Sequence, residues 1–109
     1  MEVTVSSRHL EISGPLREAA TSKVGRLERY LSEVQRGEVH FSEERNPRIT
    51  EAEVCEVTLD GNGHHVRCKA SGPDPFIALD RAVEKLERQL DKEKTKKLRR
   101  KKGVTPRRS

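Results

Sequence analysis

Four histidines, His9, His40, His64 and His65, and two cysteines, Cys55 and Cys68, are the side chains in this 109-residue sequence best suited to nucleophilic, general-base or metal chemistry. Their spacing supports none of the usual arrangements. A structural zinc site is normally anchored by two close ligands, about two to four residues apart, and no such cysteine pair exists here. Cys55, His64 and Cys68 could share one face of a hairpin, but free cysteines are commonly core residues, and that reading is preferred. Glu43 and Glu44 resemble a carboxylate pair only superficially, because neighbours in an extended chain point apart. Two cysteines are too few for a disulfide scaffold, and a reducing compartment keeps them as thiols. The sequence therefore predicts no enzyme, no metal and no cofactor. With 31% hydrophobic residues, two Phe, one Tyr and no Trp, the core must be aliphatic and small, which also argues against a tight small-molecule pocket.

The chemistry that remains is that of cations. The chain carries a net charge of +5, distributed unevenly. Residues 1 to 91 hold 13 Lys and Arg against 17 Asp and Glu, a net −4, whereas residues 92 to 109 hold 10 against 1, a net +9. A polyanion would be repelled by a uniform mixture on the acidic body. Binding one requires the basic side chains to be gathered on one surface and the acidic ones held elsewhere.

The elements that must do this gathering follow from the periodicity. Glu2 to Ser6 alternates as a half-buried strand ending near Ser7, with Val3 and Val5 inward. Ser13-Gly14-Pro15 opens a helix, Ser13 as cap and Pro15 in the first turn. Leu16, Ala20, Val24, Leu27 and Leu31 then form one stripe running to about Leu31 or Glu33. A second strand covers Glu38 to Ser42 and a third runs from about Thr50 to Leu59. Asp60-Gly61-Asn62-Gly63 predicts a tight hairpin into a fourth strand. In that hairpin Cys55, Val57 and Leu59 share a face with His64, Val66, Cys68 and Ala70, leaving His65, Arg67 and Lys69 on the other. After Ser71-Gly72-Pro73-Asp74-Pro75, a second helix repeats Phe76, Leu79, Val83, Leu86 and Leu90. From about Lys94 the stripe fails and a basic run takes over. The expected domain is residues 1–94, and residues 95–109 are expected to be a flexible basic tail or linker.

The order strand, helix, three strands, helix predicts an α+β fold, a two-layer β-α-β-β-β-α sandwich. Its four-stranded sheet has the first two strands parallel through a right-handed crossover and both helices on one face. On the second helix, at about 100° per residue, Arg81, Lys85, Arg88 and Lys92 form one exposed ridge, while Asp80, Glu84, Glu87 and Asp91 fall on a separate flank. On the first, Lys23, Arg26 and Tyr30 lie along one edge of the apolar stripe, with Arg29 further round and Glu18 and Glu28 away from it. Two such helices side by side predict parallel basic strips suited to the phosphate backbone of folded RNA. The near absence of aromatic residues argues against a reader of single strands.

Three separated segments carry a family resemblance: Ser7-Arg8-His9-Leu10-Glu11-Ile12, the stretch from Lys23 to Tyr30, and the second helix, with Phe76-Ile77-Ala78-Leu79-Asp80 leading into Lys85-Leu86-Glu87-Arg88-Gln89-Leu90. Over about residues 3 to 100 the chain resembles the ribosome hibernation promoting factor family, also called ribosome-associated inhibitor or protein Y. The resemblance implies the same β-α-β-β-β-α order and a place in the small-subunit channel of messenger RNA and the A- and P-site transfer RNAs. There it would inhibit translation by idle ribosomes. It implies that Lys23, Arg26, Arg29, Arg81, Lys85, Arg88 and Lys92, together with Arg8, face ribosomal RNA, and that no residue is catalytic. The implied partners are the small ribosomal subunit with its RNA and the whole ribosome. Longer members of the family carry a second domain that pairs ribosomes, with no counterpart in these 109 residues, so the chain is read either as a short form or as a truncated long form; the isolated domain is expected to be a monomer.

A different class of function is an interaction module whose basic ridge meets an acidic protein, including a modulator of transcription factors. Binding to ribosomes that weakens steeply with salt separates the two. No run approaches the roughly 20 apolar residues of a membrane span, and the N-terminus lacks a secretory layout. The expected location is the cytoplasm, with no membrane partner.

Overall fold

The computed structural model describes residues 1–8, 11–29, 34–46, 48, 50–61 and 63–101, with His64 and residues 93–101 described by backbone alone. Strand β1 spans Glu2–Ser7, helix α1 Gly14–Gly25, a 3₁₀ turn Arg26–Arg29, strands β2, β3 and β4 Arg36–Glu43, Glu53–Gly61 and His64–Gly72, and helix α2 Pro75–Lys101. The strands form one sheet in the order β1-β2-β3-β4. β1 is parallel to β2, and the other neighbours are antiparallel. This is the α+β architecture predicted from the sequence.

Local chemistry sets the helix starts. The Ser13 hydroxyl accepts the Leu16 amide at 3.2 Å, with Pro15 in the first turn of α1. Asp74 caps α2 in the same way, its carboxylate accepting the Ile77 amide at 2.9 Å. Each cap satisfies an amide that the helix itself cannot. The hairpin also has the expected phase: Gly61 pairs with His64, Leu59 with Val66, Val57 with Cys68 and Cys55 with Ala70. Gly63, at φ +82°, supplies the left-handed backbone of the two-residue turn.

Four expectations need correction. Helix α1 stops at Gly25 rather than near Leu31, because the low helix propensity of glycine marks a tightening into the 3₁₀ turn Arg26–Arg29. Leu27 is still buried there. Strand β3 begins at Glu53, not Thr50. The loop before it is shaped by Asn46, whose side chain accepts the Arg48 amide at 3.0 Å and turns the chain. Phe76, placed by its spacing in the apolar stripe, is 43% exposed, since the packed face of α2 begins only at Ala78 and Leu79. Finally, α2 is helical through Lys101, past the boundary expected at residue 94. No Gly or Pro intervenes, and Lys, Arg, Leu and Glu all favour helix. Tyr30, Leu31 and residues 102–109 lie outside the described residues.

The core lies between the sheet and the helices. Val39, Phe41, Cys55, Val57 and Leu59 are fully buried beneath Val24, Leu79, Leu86 and Leu90. Gly72 permits the closest approach between layers: a Cβ there would come within 2.9 Å of the Ala78 amide nitrogen and 3.0 Å of Ile77 Cγ2. Among the described residues no polar or charged side chain is buried, so the charge of those residues is available at the surface.

Candidate nucleic-acid interface

Arg81, Lys85, Arg88 and Lys92 are exposed along one side of α2, as the helical spacing requires. Arg81 donates from one guanidinium nitrogen to the Glu51 carboxylate at 2.7 Å and to the Ser71 carbonyl at 2.9 Å. Lys85 donates to the Lys69 carbonyl at 2.9 Å. Both acceptor carbonyls belong to β4, the edge strand, so this side of α2 leans over the open edge of the sheet. Beyond these contacts a groove of Cys68, Lys85, Arg88, Gln89, Asp91 and Lys92 runs between α2 and β4.

The opposite flank of α2 faces α1. Lys23 forms an ion pair with Asp80, and Arg29 lies 3.6 Å from Glu87. Advancing along α1 and its 3₁₀ turn thus advances along α2, so the two run parallel. This corrects the expected pair of adjacent basic strips. The acidic flank of α2 stands between the cations of α1 and the ridge of α2, because the phase that turns the apolar stripe inward turns that flank toward α1. The 3₁₀ turn also changes the expected spread on the first helix. Residues three apart eclipse in this geometry, which places Arg29 in line with Arg26.

Arg26, Arg88 and Lys92 are exposed, and their side chains make no ion pair or hydrogen bond with another described residue. Lys23 and Arg81 have carboxylate partners, but their side chains remain 33% and 45% exposed, and surface pairs of this kind contribute at most about 1 kcal/mol. A phosphate can replace such a carboxylate at small cost. Arg8 stands apart from the ridge. It follows β1, at the sheet edge opposite β4, about 14 Å away across three strand spacings.

Among the described side chains, those considered for catalysis are not assembled for it; His9 and the side chain of His64 lie outside the described residues. Burial pushes the Cys55 thiol up to about 12, with a smaller contribution from Glu56. Burial also raises the half-buried Cys68 thiol, with Lys85 opposing, and Cys68 donates to the Gln89 side chain at 3.4 Å. Both thiols stay protonated near neutral pH and are poor nucleophiles. His40 and Ser6 approach to 3.1 Å on the open sheet face, and His65 lies 3.6 Å from Asp60. No group of three His, Cys, Asp or Glu among the described residues is placed to hold a metal ion, and none of the described helices is long and apolar enough to cross a membrane. Sequence reasoning missed Glu51 and the β4 carbonyls as partners of the ridge, because a loop carboxylate and a main-chain oxygen leave no spacing signal.

A β-α-β-β-β-α domain with one cationic helix flank is the class that fold and surface define. The family model described as sigma 54 modulation protein / S30EA ribosomal protein matches residues 3–98, and the chain belongs to that family. It is 32% identical over 96 residues to the ribosome hibernation promoting factor of Salmonella typhimurium, covering 88% of this chain and 96% of that protein. The factor of the same name from Azotobacter vinelandii is 32% identical over 106 residues, with 97% and 94% covered. Among solved structures, the Thermus thermophilus Protein Y N-terminal domain superposes with a TM-score of 0.71 at 29% identity, over 84% of this chain and 98% of that one.

Proposed function

We propose that this chain is a ribosome hibernation factor that binds the small ribosomal subunit in the channel of messenger RNA and the A- and P-site transfer RNAs, and so holds idle ribosomes out of translation. The observation that carries this reading is the cationic flank of α2, where Arg88 and Lys92 stand exposed beside Arg81 and Lys85. It is supported by membership of a family whose similar members are named as ribosome hibernation promoting factors. In this reading Arg88, Lys92 and Arg26 meet phosphates directly. Lys23 and Arg29 exchange Asp80 and Glu87 for phosphate, while Arg81 and Lys85 border the contact. Arg8 makes a separate contact from the far edge of the sheet. No chemical step is required: function is occupancy by a single copy acting in the cytoplasm, and the basic residues after position 94 carry the cationic charge onward along RNA.

The test is co-sedimentation with purified small subunits, followed by competition. The protein is expected to pellet with the subunits at low salt and to be displaced when messenger RNA and transfer RNA fill the channel. Pelleting that is indifferent to both would place it elsewhere on the subunit, and absence of pelleting would favour an acidic protein partner.

A further inference from the structure

The free edge of β4 has an unusual chemical balance. β4 is the last strand of the sheet, and its main chain carries outward-facing carbonyls at Lys69 and Ser71, occupied by Lys85 and Arg81 at 2.9 Å each. A residue of an antiparallel strand turns its N–H and C=O to the same side, so the amides of Lys69 and Ser71 point outward with those carbonyls. Two cations thus cover the outward carbonyls of Lys69 and Ser71, while the amides of the same two residues face away from β3. The open-face side chains of β4 have the same bias. They are His65, Arg67, Lys69 and Ser71, with no acid among them, while the acids of that face sit inboard: Glu56 opposite Lys69 and Asp60 opposite His65 on β3, and Glu38 on β2. Lys69 is exposed with no ion pair to a described residue, and Arg67 has only a 4.0 Å approach to Glu56.

We infer that the phosphate-binding surface does not end at α2 but wraps around the edge of β4, adding the side chains of Arg67 and Lys69 and the outward amides of Lys69 and Ser71 as contacts to RNA phosphates. Arg81 and Lys85 act there as positioning residues that mask the carbonyls a phosphate would otherwise meet. The inference rests on the small-subunit reading and extends it to a strand. An RNA backbone following this edge is held by donors from both layers, with backbone amides serving as phosphate contacts alongside the basic side chains.

The experiment measures binding of the full chain to small subunits across a salt series, comparing the wild type with Arg67→Gln/Lys69→Gln. Loss of two phosphate contacts is expected to weaken binding and to reduce the slope of log affinity against log salt by about 1.5 to 2, with an unchanged circular dichroism spectrum. Hydrogen exchange supplies a second readout on the unaltered protein: the β4 amides around Lys69 and Ser71 are expected to slow on the subunit. Wild-type slope in the variant together with unchanged exchange overturns the inference while leaving the small-subunit reading intact. Failure of the wild type to bind overturns that reading itself.

Discussion

Glu53 stands directly opposite Glu43 on the last rung between β2 and β3. Partial burial, a hydrogen bond to Glu43 and the charges of Glu43 and Asp74 raise its carboxyl above its ordinary 4.5. A group whose pKa rises on folding favours the fold below its unfolded value, and that contribution is lost as pH climbs through the raised value. Glu53→Gln is therefore expected to raise the thermal midpoint at about pH 7, with the gain fading below about pH 4 as the Glu53 carboxyl protonates. Thermal melts of the two proteins at both pH values check this. Such pairs were invisible in the sequence, where Glu43 falls just past the expected end of the second strand and the register with the third strand is unspecified. The α2 cations were legible because they sit on one helix, whose phase follows from Leu79, Val83, Leu86 and Leu90. The partners Glu51, Asp80 and Glu87 depend on tertiary geometry that no single element specifies.

At the scale of elements, α2 both fills the core and carries the site, so its inner and outer faces can be tested separately. Leu86 is fully buried, and Leu86→Ala is expected to cost about 2–5 kcal/mol by removing packed methyl groups and leaving a cavity. Chemical denaturation measures the loss, and unchanged stability would mean that Leu86 is not part of the core. The strands and hairpin could be read because alternation and turn chemistry are local. The end of α1 was only partly legible: Gly25 weakens the helix locally, but it does not reveal that the chain continues as a 3₁₀ turn with Leu27 still buried. Arg81 and Lys85 show a further limit. Covering a free strand edge with charged groups opposes edge-to-edge pairing, yet the main-chain oxygens they cover have no signature in the sequence.

For the whole molecule, the order of elements was enough to fix the topology: one crossover, one meander and two one-sided helices admit few arrangements. The sorting of charge was only half legible. Asp80 and Glu87 of α2 face Lys23 and Arg29, while Asp91 lines the groove with Lys85, Arg88 and Lys92, leaving the far flank of α2 and the neighbouring β4 edge as the cationic surface. A polyanion bound there must release counterions for each phosphate neutralised. The most direct test is the salt dependence of small-subunit affinity for the wild type and for Arg88→Glu/Lys92→Glu, two exposed residues with no described partner to lose. Affinity of the wild type should fall steeply with salt, and the variant should bind more weakly with a slope smaller by roughly 1.5 to 2 while melting at the same temperature. A wild type whose affinity ignores salt, or a variant that binds as tightly as the wild type, would contradict the account.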